Sequence, residues 1–470
     1  MIRLTWVQPE DLVGHELRQA TEDGRAPGAP GAGRPASAEQ TRDVGGTARG
    51  AGTADAVAEI ARRWRDAGGH EAPPRAGASA PDARHLRGLA EALLDELAAI
   101  PSPLDEPSEF DDIVAACPAW PEPGRGITSG ERVLNAWQGR AAGCVLGKPV
   151  EKIPREGIRE IAEATGNWPI SGWFTAVGLP PEVAGRWPWN RRSAVNSLAE
   201  NIDGVPEDDD LNYPLLALTV LRRYGRAFTT EDVAQVWLDE LPAGRTFTAE
   251  RVAYRNLLQG LEPPETASFR NPFREWIGAL IRADVYGWTN PGDPATAAEH
   301  AWRDARLTHT ANGVYGAMFA AALCAQSLVA SDVLEAVEAG IAVVPPASRL
   351  GAALRAAVDD ARSEPDFERV IDRLYERHGH LHWVHTINNA ALIAAALVHG
   401  KGDFTRSIAG AVAAGWDTDS AGATVGSVAG AISGVPDRWR MKNTLASSLT
   451  GFDGIGLDEL GGWTHDLGFR

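Results

Sequence analysis

The sequence predicts an all-α fold, and three features indicate it. Two alanine-rich segments, residues 317–329 and 390–398, are apolar nearly all round, which is typical of interior helices in a large helical domain. Capping residues precede other helical stretches, for example Thr230 before Glu231-Asp232. Alternating runs of β-branched residues are scarce. With 470 residues, 44% of them hydrophobic, the chain is long enough to bury the core that this fold needs.

Charge and cysteine content narrow the class of protein. The net charge of −18, from 45 basic and 63 acidic residues, argues against a nucleic-acid-binding surface and fits a metal-binding or small-molecule enzyme. The three cysteines, Cys117, Cys144 and Cys324, form no Cys-x-x-Cys pair, so neither disulfides nor a thiolate zinc site is expected. This usage favours a reducing, cytoplasmic setting.

The sequence gives no sign of export or of a membrane partner. The first residues lack a basic stretch followed by an apolar one, so we expect no export signal. Residues 313–330 carry no charge and approach the length of a membrane span. Their alanines, together with Gln326 and Ser327, favour a buried core helix instead.

The first part of the chain, residues 1–128, is expected to be an N-terminal extension with short helices. Pro9-Glu10-Asp11 is typical of a helix start, and leucines at 86, 89, 93 and 97 predict a second, amphipathic helix. Between them, residues 23–54 are rich in Gly, Ala and Pro, which predicts a flexible linker or surface loop. Proline-rich breaks end this region, so we predict a separate catalytic domain over residues 129–470.

The first candidate site element of that domain is the segment 139–151, Gly-Arg-Ala-Ala-Gly-Cys-Val-Leu-Gly-Lys-Pro-Val-Glu. Its small residues permit close packing of a helix, and Pro149 ends that helix. Glu151 would then lie on the loop beyond. Taken alone, Glu151 is more typical of a surface carboxylate.

The second element is the acidic run Glu207-Asp208-Asp209-Asp210, which precedes an apolar helix. Four adjacent carboxylates repel one another unless a cation lies among them. An isolated acidic run at a helix start is more often a solvated N-terminus. Here, however, it is one of two acidic clusters that lead into apolar helices.

The other cluster is Gly415-Trp416-Asp417-Thr418-Asp419-Ser420. Carboxylates and hydroxyls are the hard oxygen ligands that Mg²⁺ and Mn²⁺ prefer, although capping of a helix N-terminus explains the same residues. Glycines recur every fourth residue after it, at 422, 426, 430 and 434. Because each costs about 0.5–1 kcal/mol of helix propensity, we expect some close approach to this face that offsets the cost.

Two further segments place polar groups at the start of uncharged helices. One contains His309, Asn312, Gly313 and Tyr315, and the other runs from His385 to Ala390 and contains Asn388 and Asn389. Such groups are either caps and satisfied core polars or the lining of a pocket.

The order of these motifs resembles the ADP-ribosylglycohydrolase family, which includes the hydrolase that removes ADP-ribose from dinitrogen reductase. The resemblance spans roughly residues 130–435 and depends on the ordered set: the glycine motif ending in Pro-x-Glu, the aspartate cluster, the His/Asn/Gly segment and Gly-x-Asp-x-Asp-Ser. It implies a compact multi-helix orthogonal bundle. It also implies two Mg²⁺ or Mn²⁺ ions held between helix ends.

The resemblance also assigns roles to residues. Asp417, Asp419 and Ser420 would supply one group of metal ligands, and Asp208, Asp209 and Asp210 the other. The family's Thr-Asp-Asp can be aligned on Glu207-Asp208-Asp209 or on Asp208-Asp209-Asp210. Ser420 stands where the family usually has Thr, and Cys144 where many members have Asp. Glu151 and Asp209 would be catalytic. The substrate pocket would be lined by His309, Asn312, Gly313, Tyr315, His385 and Asn388.

The implied reaction is metal-dependent hydrolysis at an anomeric carbon. Two divalent ions could hold vicinal sugar hydroxyls and activate a water at neutral pH, while Glu151 or a carboxylate of the 207–210 cluster takes its proton. The expected substrate is a small molecule or an ADP-ribosylated protein. The alternatives are a hydrolase whose substrate is a nucleoside-like small glycoside and a catalytically weak protein that binds ADP-ribose.

Four tryptophans lie between Glu151 and Asp208 and form either a lid that stacks on the substrate or part of the core: Trp168, Trp173, Trp187 and Trp189.

Overall fold

The computed structural model describes residues 5–26, 47–73 and 82–469. Within those ranges the chain forms α-helices, short 3₁₀ turns and isolated β-bridges but no strand, so the all-α prediction is confirmed. In chain order the helices are α1 (Pro9–Glu22), α2 (Thr47–Asp66), α3 (Arg87–Ala98), α4 (Phe110–Ala116), α5 (Gly130–Gly147), α6 (Arg155–Ala164), α7 (Pro181–Arg186), α8 (Asp209–Tyr224), α9 (Thr230–Glu240), α10 (Thr248–Leu258), α11 (Glu265–Ser268), α12 (Asp284–Trp288), α13 (Pro294–Ala305), α14 (Ala311–Ser327), α15 (Val333–Ala342), α16 (Arg349–Ser363), α17 (Phe367–His378), α18 (Thr386–Gly400), α19 (Phe404–Ala413), α20 (Thr418–Ser433) and α21 (Leu457–Phe469).

The centre of the core is formed by α14 and α18, the two alanine-rich helices. Nearly every residue of α14 is buried, and it packs against α12, α13, α15, α18 and α20. Alanine side chains are small enough to let neighbouring helices approach on several sides. The expectation that residues 313–330 belong to a buried helix is therefore confirmed, and no described helix combines the length and apolarity needed to cross a membrane.

A glycine seam joins α5 to α20. A Cβ added at Gly143 would lie 1.8 Å from the carbonyl oxygen of Gly422, and one at Gly426 would lie 2.1 Å from that of Gly139. The two backbones thus touch with no side chain between them. The close approach that the glycine repeat predicts is confirmed at Gly422, Gly426 and Gly430, where the contact offsets the cost of helical glycines, whereas Gly434 ends α20 with a positive φ.

The linker predicted over residues 23–54 is wrong at both of its described ends, while residues 27–46 lie outside the described residues. Asp23 and Arg25 are buried, because they form ion pairs with each other and with neighbouring charges. At the other end α2 begins at Thr47. This helix forms because Val57, Ile60 and Trp64 recur at helical spacing and are buried.

The other local predictions hold within a residue or two. Pro9 stands in the first turn of α1, and the leucine stripe forms α3 after a 3₁₀ turn at Arg84–Leu86. The cap of α9 is Thr229 rather than Thr230, because the Thr229 and Asp232 side chains form a capping box.

Candidate functional site

Both acidic clusters lie at helix N-termini, but only one is engaged in capping. Asp208 caps α8, and its Oδ1 accepts a hydrogen bond from the Asp210 backbone N–H at 3.0 Å. Asp417 is the N-cap residue of α20, yet its side chain accepts no capping hydrogen bond. Capping therefore accounts for Asp208 and leaves the carboxylates of α20 without that role.

The two clusters meet at the start of the glycine seam. Ser420 Oγ donates a hydrogen bond to Asp210 Oδ2 at 3.3 Å, which joins α20 to α8. Thr418 Oγ1 donates to the carbonyl of Gly147 at 2.9 Å and so fixes α20 against the end of α5. Since Glu151 follows that end by four residues, the fold brings the six predicted metal ligands and Glu151 to one place.

Three basic side chains lie among these carboxylates. The Lys148 ammonium is buried, forms a short ion pair with Asp208 and donates to the Glu207 carbonyl at 3.2 Å. Arg140 is fully buried and donates to the Asp210 carbonyl at 2.8 Å, with its other end nitrogen 3.4 Å from Asp210 Oδ1. Lys152 Nζ lies 2.8 Å from Glu151 Oε1.

The pKa values divide the carboxylates into two groups. Burial would raise the pKa of Asp208, but the Lys148 ammonium holds it below its ordinary value. Burial, and then the charges of Glu151 and Asp208, raise the pKa of Asp419 to about 7. Burial and neighbouring carboxylates also raise the pKa values of Asp209, Asp210 and Asp417 well above the ordinary range, although Arg140 lies beside Asp210. Positive charge therefore outweighs burial only at Asp208.

Glu207 does not belong to this group. Its carboxylate accepts hydrogen bonds from the Ser448 backbone N–H at 2.9 Å and from Asn212 Nδ2 at 3.1 Å, and it lies 2.9 Å from an Arg245 nitrogen. With its oxygens engaged in this way, Glu207 points to other partners, and Asp208, Asp209 and Asp210 are the three carboxylates of this run that lie beside the other cluster.

Two asparagines that are not among the predicted site residues position candidate residues. Asn190 Nδ2 donates to Glu151 Oε2 at 2.5 Å, and Asn389 Oδ1 accepts from the Asp417 backbone N–H at 3.2 Å. Asn190 follows a tryptophan-rich stretch whose four tryptophans pack, half-buried, against the core: Trp168, Trp173, Trp187 and Trp189. The only sequence signal for Asn389 is its place next to Asn388.

Three predicted pocket residues face the N-terminal extension instead of the aspartates. Asn312 Nδ2 donates to Glu106 Oε2 at 2.7 Å, and the Tyr315 hydroxyl donates to the Pro107 carbonyl at 2.5 Å. His385 Nε2 lies 3.9 Å from Glu22 Oε2. Burial lowers the pKa of His385 to about 3, so its imidazole is neutral at physiological pH.

The remaining three lie in the core nearby. His309 is fully buried with its ring 3.9 Å from Glu250 Oε1, and Asn388 Nδ2 donates to the His382 carbonyl at 3.2 Å. A Cβ at Gly313 would lie 2.4 Å from the Arg274 carbonyl oxygen. Among the described residues, no hydrogen bond joins these six pocket residues to the aspartates, and their role in substrate binding stays a prediction.

The residues present fit a divalent cation. Asp419 Oδ1 is buried without a hydrogen-bond partner, which is a costly arrangement unless a ligand completes it. Potential ligand atoms of Cys144, Asp208 and Asp210 also lie within 4.8 Å of one another. Carboxylate and hydroxyl oxygens are the donors that hard divalent ions prefer.

The fold is helical, and aspartates at two helix N-termini oppose each other in an acidic cluster whose oxygens could hold a metal ion. The family model described as ADP-ribosylglycohydrolase matches residues 126–456, well over half of the chain. The chain therefore belongs to the ADP-ribosylglycohydrolase family, and it is a hydrolase that acts on glycosidic bonds.

The chain also resembles a solved structure at low sequence identity. A solved structure described as an ADP-ribosylglycohydrolase-related protein complex is 22% identical, with a TM-score of 0.43. It covers 72% of this chain and 98% of its own. No curated protein matches the chain.

Proposed function

We propose that the protein is a Mg²⁺- or Mn²⁺-dependent hydrolase that cleaves an N- or O-glycosidic bond at the anomeric carbon of an ADP-ribosyl group. The observation that carries this proposal is the meeting of the two aspartate clusters, where Ser420 of α20 donates to Asp210 of α8 and the charges of Asp208 and Glu151 act on Asp419. Within the described residues, Asp209, Asp417 and Asp419 have no Lys, Arg or His partner within 4.0 Å. Buried carboxylates beside one another stay ionised together only when a cation lies among them, and family membership supplies the substrate class.

The proposed metal ligands are Asp208, Asp209, Asp210, Asp417, Asp419 and Ser420. When bound, divalent cations supply positive charge that can hold sugar hydroxyls and lower the pKa of a water molecule. The sequence resemblance implies two such ions. The glycine seam contributes rigidity, because it fixes α20 against α5 and so keeps Asp417 and Asp419 opposite the aspartates of α8.

Glu151 is the proposed general base. Its carboxylate is partly exposed, with 18% of the side chain accessible, so a water and a substrate can reach it. Asn190 and Lys152 each hold one of its oxygens, which fixes the orientation that proton transfer requires. Asp209 is the second proposed catalytic group, because it lies among the metal-binding carboxylates at the start of α8.

The reaction and its product follow from cleavage at the anomeric carbon. Cleavage at an anomeric carbon passes through an oxocarbenium-like state, and the carboxylates around the site stabilise the positive charge that develops on the sugar. The product would be ADP-ribose if the substrate is an ADP-ribosylated protein or small molecule. A nucleoside-like glycoside is the alternative substrate on the same residues.

The test is hydrolysis by the purified protein with and without Mg²⁺ or Mn²⁺, followed by mass spectrometry. The panel contains peptides ADP-ribosylated on arginine and on serine, together with nucleosides. We expect metal-dependent release of ADP-ribose that falls by at least about 10³-fold in Asp417→Ala. Asp203→Ala is the matched control, since Asp203 is exposed and its ion pair in the described part of the chain is with exposed Lys442.

Three results would count against the proposal. Release that continues unchanged after chelation, or in Asp417→Ala, would remove the metal site from the reaction. Turnover of nucleosides alone would support the alternative substrate. Measured metal binding with no turnover of any member of the panel would favour an ADP-ribose-binding protein.

A further inference from the structure

One face of α5 and of the turn after it lies against the start of α8. Arg140, Cys144 and Lys148 recur on this face at every fourth residue, so they form one line along the helix. At one end of the line, Arg140 donates to the Asp210 carbonyl. At the other end, the Lys148 ammonium pairs with Asp208. Cys144, the middle residue, therefore places a thiol between two basic side chains that hold the same pair of aspartates.

The thiol and the two carboxylates are close enough to bind one ion. The Cys144 sulfur and one carboxylate oxygen each of Asp208 and Asp210 lie within 4.8 Å of one another. The Cys144 side chain is fully buried, so this position is shielded from solvent. We call these three residues the Cys144 group.

A second observation points to a ligand at the same place. Asp419 is only 7% exposed, and its Oδ1 is buried without a hydrogen-bond partner. The charge of Asp419 acts on both Cys144 and Asp208, so this oxygen belongs beside the Cys144 group. A buried carboxylate oxygen with nothing to accept from is costly, and a cation would satisfy it.

We propose that Cys144 is a metal ligand, and that its thiolate, with Asp208 and Asp210, binds a divalent ion of borderline softness, such as Zn²⁺ or Co²⁺, in preference to Mg²⁺. This inference rests on the metal site of the proposed function and names the kind of ion that the site takes. A thiolate is a softer donor than the carboxylate and hydroxyl oxygens around it, whereas Mg²⁺ prefers oxygen ligands. The cysteine spacing argues against a zinc site made of thiolates alone, but here one thiolate joins two carboxylates.

The charges around the Cys144 group favour a divalent ion. An Arg140 nitrogen lies 2.8 Å from Asp284 Oδ2, and another lies 3.4 Å from Asp210 Oδ1, so Asp284 is the nearer partner and balances the Arg140 charge. Lys148, through Asp208, balances one of the three negative charges that the ionised group carries. A divalent ion balances the other two, and the further carboxylates of the site add to its attraction.

Lys148 and an ion can share Asp208. The Asp208 Oδ1 accepts from the Asp210 backbone N–H, and its Oδ2 accepts from the Lys148 ammonium. Because an ionised carboxylate has about four acceptor sites, each oxygen keeps a lone pair for a cation. The ammonium then fixes the orientation of Asp208 as a ligand.

Binding requires the thiol to lose its proton. Burial and the charges of Asp208 and Asp210 raise the pKa of Cys144 well above its ordinary value, so the metal-free protein carries the thiol. When the ion binds, the S–H bond breaks, a sulfur–metal bond forms and the proton passes to solvent. No group is oxidised or reduced.

The test detects the sulfur–metal bond rather than turnover. Full-length protein is freed of metal with EDTA, dialysed and titrated with Co²⁺ while its absorption spectrum is recorded. A thiolate bound to Co²⁺ gives an intense charge-transfer band in the near ultraviolet, which oxygen ligands do not give. Competition with Zn²⁺ and with Mg²⁺ then measures the preference for each ion. The variant is Cys144→Ser, and Cys324→Ser is the matched control, because Cys324 is equally buried but its sulfur contacts Ser427 at 3.6 Å.

We expect the band in the wild type and in Cys324→Ser, and no band in Cys144→Ser. Zn²⁺ should displace Co²⁺ at a concentration at least about 10²-fold lower than Mg²⁺ does. Co²⁺ that binds without the band, a band that persists in Cys144→Ser, or displacement by Mg²⁺ as readily as by Zn²⁺ would overturn the inference. Metal-dependent turnover by the same protein would then show that the proposed function still holds, whereas no binding of any divalent ion would contradict both proposals.

A second variant covers the case in which Cys144→Ser fails to fold. Cys144→Asp introduces the residue that many family members have at this position, and it keeps a ligand atom there. It should bind Co²⁺ without the charge-transfer band and bind Mg²⁺ at least about tenfold more tightly than the wild type does. A band in folded Cys144→Asp would assign the thiolate to another cysteine and overturn the inference.

Discussion

Two buried regions of the molecule are rich in carboxylates, and they differ in how those carboxylates are matched. At the contact between the first part of the chain and the helices that follow it, Arg349 donates to both Glu106 and Glu275, and Arg274 donates to Glu16. In the candidate metal site, three aspartates lack a basic partner among the described residues. Buried carboxylates thus stabilise a contact where basic side chains pair with them, and remain available as candidate ligands where none does.

The pKa values of two of these carboxylates show the same contrast. Burial would raise the pKa of Glu275, but Arg349 beside it lowers that pKa to about 2. At Asp419, burial and the charges of Glu151 and Asp208 raise the pKa to about 7. One carboxylate of the interface is an exception, because Glu22 is buried with neither oxygen hydrogen-bonded.

The largest predicted effect is the loss of stability in Arg349→Met. This change leaves Glu106 and Glu275 buried with an uncompensated charge, and we expect the free energy of unfolding to fall by about 3–5 kcal/mol. Chemical denaturation measures it. Arg159→Met is the control, since Arg159 is half exposed in a pair with Glu163 and should change stability little. Equal stability of the two variants would refute the comparison on its interface side.

The next effect concerns Glu22 and depends on pH. Burial raises its pKa to about 8, with Arg18, Glu275 and Arg349 acting on it, and His385 lies 3.9 Å away. The folded state therefore keeps a proton that the unfolded state loses near its ordinary pKa. The free energy of unfolding of the wild type should therefore fall as the pH rises from the ordinary pKa of a glutamate to about 8.

Glu22→Gln removes that dependence. At pH 8–9 we expect the variant to be more stable than the wild type by on the order of 2–4 kcal/mol, whereas near pH 4 the two should be equal. Urea denaturation at both pH values measures the difference. A difference of the same size at pH 4 would show that the effect is not one of ionisation.

Metal binding should stabilise the site region by a somewhat smaller amount. If an ion binds only the folded state, a concentration of 100 times its Kd raises the free energy of unfolding by about 2.7 kcal/mol. Thermal unfolding of wild type with and without Mn²⁺ measures this. Asp417→Ala should show no such gain, and an equal gain in that variant would place the ion elsewhere.

The smallest effect is the opposite in sign to that of Arg349→Met. Asp419→Asn removes one of the unmatched charges, so the metal-free variant should be more stable than the metal-free wild type by about 1–2 kcal/mol. Asp203→Asn, at an exposed position, is the control. If Asp419→Asn is instead destabilising, the site would not be strained by repulsion and the contrast between the two regions would weaken.

The sequence predicts those parts of the site whose signals are local. Acidic residues before apolar helices and glycines at every fourth position indicate the starts of α8 and α20 and their close neighbour. Lys148 and Asn190 are not predicted, because their significance depends on which carboxylate they meet across the fold. The contacts of Asn312 and Tyr315 with the N-terminal extension are likewise tertiary, and the composition of that extension gives no sign of them.

The glycine seam has a further consequence for the chain's folding. Sliding α20 along α5 by one residue would place the Cβ atoms of Ala421 or Ala423 against a backbone that accepts only glycine. The seam therefore rejects pairings shifted by one, two or three residues, since only a shift by a whole helical turn would place glycine against glycine again. Since Asp417 and Asp419 lie at the end of this contact, the choice of register during folding also decides whether the carboxylates of the two helices meet.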